Sequence, residues 1–134
     1  MRTCCLALLL LSALVLAGCS GTPGAYPVRG KVTLSDGSPL TKGTINFYNE
    51  KGTATGDIRS DGTYELGSLN VGDGAVPGKY QVFFSGDALG GGYDNAPQLI
   101  DSKYGNASTS GLTAEVKAQT NTGIDFTLDP PAAQ

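Results

Sequence analysis

The chain has 134 residues, with 9 Lys and Arg against 12 Asp and Glu, and a formal net charge of −3. It contains no His and no Trp, which removes the commonest general base and the commonest metal-ligating side chain and excludes any Ser-His-Asp or Cys-His catalytic arrangement. The charges are dispersed and form no basic stripe, so no nucleic-acid partner is expected, and no cofactor or metal is implied.

The first element is a leader over residues 1–18. Arg2 supplies a positive start, and Cys4 to Leu16 forms an apolar core rich in Leu and Ala, broken only by Ser12. That core is too short for a membrane-spanning helix, which needs about 18 or more apolar residues. Ala17 and Gly18 are small, as a peptidase cleft requires of an extended substrate, so cleavage is expected between Gly18 and Cys19. Cys19 then occupies the first mature position, where its thiol can be alkylated. Leu16-Ala17-Gly18-Cys19 resembles the lipobox of bacterial lipoproteins. The resemblance implies a diacylglycerol on Cys19 and, after cleavage, often an acyl chain such as palmitate on its amino group. Two chains of ~14 methylenes give a gross upper value on the order of 20 kcal/mol of membrane attachment. The resemblance also implies a location in the cell envelope, on the periplasmic or extracellular face. Ser20, rather than Asp, after the lipidated residue points towards the outer membrane.

Removing residues 1–18 leaves 116 residues, enough for one domain, with a net charge of −4 because Arg2 is the only charge lost. Cys4 and Cys5 leave with the leader and Cys19 is committed to lipid, so no disulfide is available. Residues 19–27 read as a lipidated tether, in which Gly and Pro block a helix.

The domain is expected over 28–129. From Val28 the chain alternates: Val28, Gly30, Val32 and Leu34 on one face, Arg29, Lys31, Thr33 and Ser35 on the other. Period two marks a half-buried strand. Asp36-Gly37 turns it. Thr44–Asn49 follows with Ile45 and Phe47 inward, then Thr53–Arg59 with Ile58 its only large apolar residue. Asp61-Gly62 is a tight-turn signal, and Thr63–Leu66 continues beyond it with Tyr64 and Leu66 on one face. Leu69–Pro77 reads as a loop. Gly78–Ser85 is the clearest strand, with Tyr80, Val82 and Phe84 alternating against Lys79, Gln81 and Phe83. Residues 86–111 form a long irregular stretch. Leu112–Ala118 and Ile124–Leu128 alternate again across the turn at Thr120-Asn121-Thr122-Gly123, and Pro130-Pro131 opens a tail over 130–134. About seven short strands with frequent turn signals predict an all-β fold, an antiparallel β-sandwich.

Val28-Arg29-Gly30-Lys31-Val32 followed by Gly37-Ser38-Pro39-Leu40, then Ser60-Asp61-Gly62-Thr63-Tyr64-Glu65-Leu66, then Val76-Pro77-Gly78-Lys79-Tyr80-Gln81-Val82, occur in an order that resembles carboxypeptidase-regulatory-like (transthyretin-like) domains. Lys103-Tyr104-Gly105 and Thr109–Val116 are similar to a subgroup of small bacterial lipoproteins carrying such a domain. The resemblance spans most of the mature chain. It implies a seven-stranded Greek-key sandwich that serves as a structural or binding accessory without catalytic residues. Hydroxyisourate hydrolases share a fold of this type, but their chemistry uses His, and this chain has none.

Four residues are singled out as structural: Asp61 and Gly62 for their turn, and Gly78 and Tyr80 at the start of the best strand. There Tyr80 either returns its hydroxyl to a loop carbonyl, as in a tyrosine corner, or packs as an ordinary core Tyr. Asp57, Asp61 and Glu65 superficially suggest a calcium loop. Counted from Asp57, however, position 3 is Arg59 and position 12 is Ser68, so the pattern fails. The 86–111 stretch exceeds what compact domains usually carry without function or mobility. Tyr93, Asn95 and Tyr104, with Gln98 and Asp101, offer an aromatic-and-amide surface for a glycan or a partner; the plainer alternative is a mobile or locally folded insertion covering Phe83. The expected function is therefore a non-enzymatic, lipid-anchored envelope module. The alternative is a carbohydrate- or peptide-binding protein using the 86–111 loop or a sheet edge, and the partners are the membrane and an envelope protein or glycan.

Overall fold

Apolar side chains at every second position produce seven strands in the computed structural model, which describes residues 24–91 and 93–132. The expected leader 1–18, Cys19 and residues 20–23 of the expected tether 19–27 lie outside the described residues. The strands are β1 (Arg29–Leu34), β2 (Thr44–Asn49), β3 (Gly52–Asp57), β4 (Thr63–Glu65), β5 (Gly78–Ser85), β6 (Leu112–Val116) and β7 (Phe126–Leu128). Among the described residues there is no α-helix. Two short 3₁₀ helices, Gly86–Leu89 and Ser102–Gly105, fall in the stretch that reads as irregular. The fold is all-β, as the sequence predicts.

The strands form two sheets, one of three in the order β4-β1-β7 and one of four in the order β3-β2-β5-β6. The expectation of purely antiparallel pairing needs one correction. β1 and β7 run parallel, with Val32 opposite Phe126 and Leu34 opposite Leu128. The direction follows from the chain path. β6 runs antiparallel to β5, so it ends beside the start of β5, at the end of the molecule where β1 also starts. The chain turns back there through residues 117–125, and β7 must leave in the same direction as β1.

The inward residues of both sheets belong to one buried cluster. Val32, Tyr64, Leu66 and Leu128 come from the smaller sheet and its margins, and Ile45, Phe47, Val82 and Phe84 from the larger. The ring of Phe47 lies 6.3 Å from Tyr64 and 6.2 Å from Phe126, both on the other sheet, and 5.9 Å from Tyr80. Such tilted and edge-on pairs add about 0.5–1.5 kcal/mol each beyond area burial. At one side the sheets are stitched together. Thr55 of β3 exchanges both backbone hydrogen bonds with Gly67, just past β4, at 2.9 and 2.8 Å. That pairing covers part of an edge that would otherwise expose unpaired amides.

The chain is held from Tyr26 onward, two residues earlier than the alternation indicates. Tyr26 and Ala75 exchange backbone hydrogen bonds at 2.9 and 3.0 Å, and Val28 bridges Asn121. This sets two ends to the molecule. The start of β1, the β2–β3 turn, the loop 66–77 and the turn 117–123 share the end where the described chain begins. The end of β5 and the residues that follow it share the other. β5 has eight residues, so the ends are separated by about 26 Å.

Candidate functional site

Lipidation at Cys19 and cleavage between Gly18 and Cys19 fall outside the described residues. The four structural residues lie within them. Asp61 Oδ1 accepts from the Thr63 amide at 3.0 Å and from its hydroxyl at 2.6 Å, which closes the turn. These hydrogen bonds hold the Asp61 carboxyl below its usual range, the hydroxyl contributing most. Gly62 sits at φ 86, where a side chain is strained, and a Cβ there would meet the Val32 carbonyl oxygen at 2.6 Å. Gly78 has φ 154. Tyr80 is buried, and its hydroxyl donates to the Val76 carbonyl at 2.6 Å, so it does return to the loop that precedes its strand. Tyr64 makes a similar bond across the smaller sheet, to the Ile124 carbonyl at 2.5 Å. Burial pushes its phenol well above the usual range, and the charge of Asp125 adds to the effect.

The 86–111 stretch closes the end of the molecule opposite Tyr26 and the start of β1. Ala88 and Ile100 are fully buried, and the amides of Leu99 and Ile100 both donate to the Ala88 carbonyl. The Asp101 amide donates to the Asp129 carbonyl at 3.0 Å, and the Asp101 side chain caps the second 3₁₀ helix at Lys103. Ser110 is buried and donates to the Val82 carbonyl. The insertion is thus folded onto the sheets rather than hung from them.

This packing separates the candidate binding residues. Tyr104 is 4% exposed, and its hydroxyl meets Asp129 Oδ2 at 3.1 Å. Lys103 Nζ sits 3.0 Å from the same oxygen. Tyr104 is therefore part of the core and not of an exposed binding surface. Tyr93 is fully exposed on a small loop closed by the Gly91–Ala96 bridge. Asn95 lies on the same loop at φ 47, a left-handed conformation that Asn tolerates better than most residues. Gln98 turns back, donating to the Ile100 carbonyl at 2.7 Å. Tyr93, Asn95 and Gln98 are exposed, but the Gln98 amide is already engaged by the Ile100 carbonyl, which leaves Tyr93 and Asn95 as the pair presented on the small loop. Phe83, which interrupts the polar face of β5, is half-buried.

Two surface features escape the sequence reading. The outer face of the larger sheet carries Tyr48, half exposed, in register with Gln81 and Thr113, above an open groove of about 650 Å³ that Asn49, Lys79 and Glu115 also line. Tyr48 is legible as the outward partner of Phe47, but nothing local says that Gln81 and Thr113 stand beside it. The second feature is the loop after β4, which exposes Leu69 and Val71 next to a crevice of about 410 Å³. Arg59 and Glu65 line that crevice too. Glu65 accepts from Arg29 at 2.8 Å and from Arg59 at 3.4 Å, and Arg29 is the larger cause of its lowered pKa.

Among the described residues no group of three Asp, Glu or Cys side chains is placed to hold a metal ion, and no helix is long and apolar enough to cross a membrane. No protein-family model, curated protein or solved structure matches this chain.

Proposed function

We propose that the protein is a non-enzymatic envelope module, tethered to a membrane by lipid on Cys19, whose two sheets stack as a seven-stranded sandwich and hold the 86–111 end away from the bilayer. The anchor rests on the leader and on Leu16-Ala17-Gly18-Cys19. The sandwich is supported by Phe47, whose ring meets residues of the opposite sheet. The observation that carries the reading is the polarity of the domain: Tyr26 joins at one end and the folded insertion closes the other. A non-catalytic role is favoured by a sequence without His, in which the clustered carboxylates hold turns and ion pairs. Fractionation of cells expressing Cys19→Ala beside the natural chain tests the anchor. The natural chain stays with membranes through a high-salt wash and leaves only in detergent, whereas the variant is released. Membrane retention of the variant would contradict the reading.

A carbohydrate-binding role is the second reading, and the exposed Tyr93 favours it. An aromatic ring held at a loop tip presents the apolar face that stacks on a sugar ring. A glycan array should then show binding that Tyr93→Ala abolishes while leaving the thermal midpoint unchanged. Binding that survives the change rejects Tyr93 as its seat.

A further inference from the structure

We infer that the loop 67–74 is a second contact with the lipid surface, made through Leu69 and Val71, and that it fixes which end of the domain faces the bilayer. This inference rests on the proposed anchor at Cys19.

Four large apolar residues are exposed among those described: Tyr48, Leu69, Val71 and Tyr93. The two aliphatic ones lie two positions apart on a single loop, at 76% and 97% exposure. Isolated exposed apolar residues are ordinary. This pair differs because its loop is built to hold it in place. The Asp73 carboxylate accepts from three successive amides, Ser68 at 2.6 Å and Leu69 and Asn70 at 3.1 Å each. Ser68 Oγ donates to the Gly74 carbonyl at 2.8 Å, and the Gly74 amide donates to the Leu66 carbonyl at 2.9 Å. Leu69 and Val71 therefore stand in water on an ordered backbone, and little ordering entropy opposes their burial in a partner.

The lipid surface is the partner because of where the tether joins. Ala75, immediately after this loop, is the residue that pairs with Tyr26. Gly74 is closed against the Tyr26 carbonyl so tightly that a Cβ would overlap it. Cys19 precedes the first described residue, Gly24, by five positions, and five residues span at most about 18 Å. A lipid on Cys19 thus keeps this end of the domain within one short tether of the membrane. The second contact is then intramolecular, with an effective concentration in roughly the millimolar range. Two aliphatic side chains, too few to recruit a free protein, can orient one that is already held. The same geometry turns Tyr93 and the opposite end outward.

The test uses the protein as extracted in detergent from the membranes of expressing cells, reconstituted in phosphatidylethanolamine–phosphatidylglycerol vesicles that carry a spin-labelled lipid quencher. An environment-sensitive fluorophore is attached through Val71→Cys in one sample and Tyr93→Cys in another. Quenching at position 71 is expected to exceed that at 93 several-fold, with a blue shift at 71 alone. In a third sample, with Leu69→Ser and the fluorophore at position 71, quenching should fall towards the value at 93. Equal quenching at 71 and 93 on protein that floats with the vesicles overturns the inference and leaves the anchor standing. Protein that does not float and carries no lipid on Cys19 overturns the anchor itself. Position 71 unquenched but shielded by a co-purified envelope protein also overturns the inference, in favour of a protein partner.

Discussion

The hydroxyl of Tyr80 reaches the Val76 carbonyl four residues upstream and ties the start of β5 to the loop before it. Its ring meanwhile packs on Phe47. Tyr80→Phe keeps the ring and leaves a carbonyl without its donor, so a loss of about 1–2 kcal/mol is expected in urea unfolding. Unchanged stability would return Tyr80 to the status of an ordinary core residue. The sequence offered this role as one of two alternatives, because Pro77-Gly78 places the aromatic two residues into a strand. Asn121 was not legible. In the sequence it is one polar residue of a turn. In the structure it is buried, its amide donates to the Lys117 and Gln119 carbonyls, and its carbonyl accepts from the Lys117 amide. Nothing in Thr-Asn-Thr-Gly distinguishes an Asn that faces water from one that satisfies three backbone groups. Tyr104 misleads in the opposite direction, because its neighbours Lys103 and Gly105 suggest a surface while Asp129, 25 residues away, receives its hydroxyl.

β1, β4 and the turn between β3 and β4 are joined by Arg29, Glu65 and Arg59. Asp36, Asp61, Glu65 and Asp129 are all held below the usual carboxylate range, Asp129 chiefly by Lys103. A carboxyl whose folded pKa lies below its unfolded one stabilises fully above the unfolded value, and loses that contribution as pH falls through the folded value. Stability should therefore be level from neutrality to about pH 5 and decline below about pH 4. In Glu65→Gln the acid decline should be shallower, and its deficit against the natural chain should be largest near neutrality and narrow towards about pH 3. Urea midpoints measured along this range decide the matter, and parallel curves would contradict it.

The strands themselves were readable from alternation, to within two residues at most ends. Their partners were not, because period two carries neither direction nor neighbour, and the parallel β1–β7 pairing emerges only from the path of the whole chain. The two 3₁₀ helices are single turns, too short to impose a periodicity. The adjacent apolar pair Leu99-Ile100, set in polar sequence, was the available sign that the 86–111 stretch is folded, since Ile100 is fully buried.

At the level of the molecule, Phe47 is where the two sheets meet, with Tyr64 and Phe126 on the facing sheet. Phe47→Ala is expected to cost about 3–5 kcal/mol. That approaches the whole stability of a small domain, about 5–15 kcal/mol. Calorimetry should show a greatly lowered or absent transition; a midpoint within a few degrees of the natural one would mean that the sheets do not depend on this contact. The proposed anchor draws its meaning from the polarity of the domain: the described chain begins at one end, with two exposed aliphatic residues beside it, and a folded insertion bearing Tyr93 closes the other end, about 26 Å away. The proposed anchor depends on how the chain begins in the cell. Intact mass spectrometry of the native protein, extracted from membranes in detergent, tests this most directly. The account predicts an amino terminus at Cys19 with the added mass of a diacylglycerol and an acyl group. An unmodified Cys19, or a chain that retains residues 1–18, would contradict it.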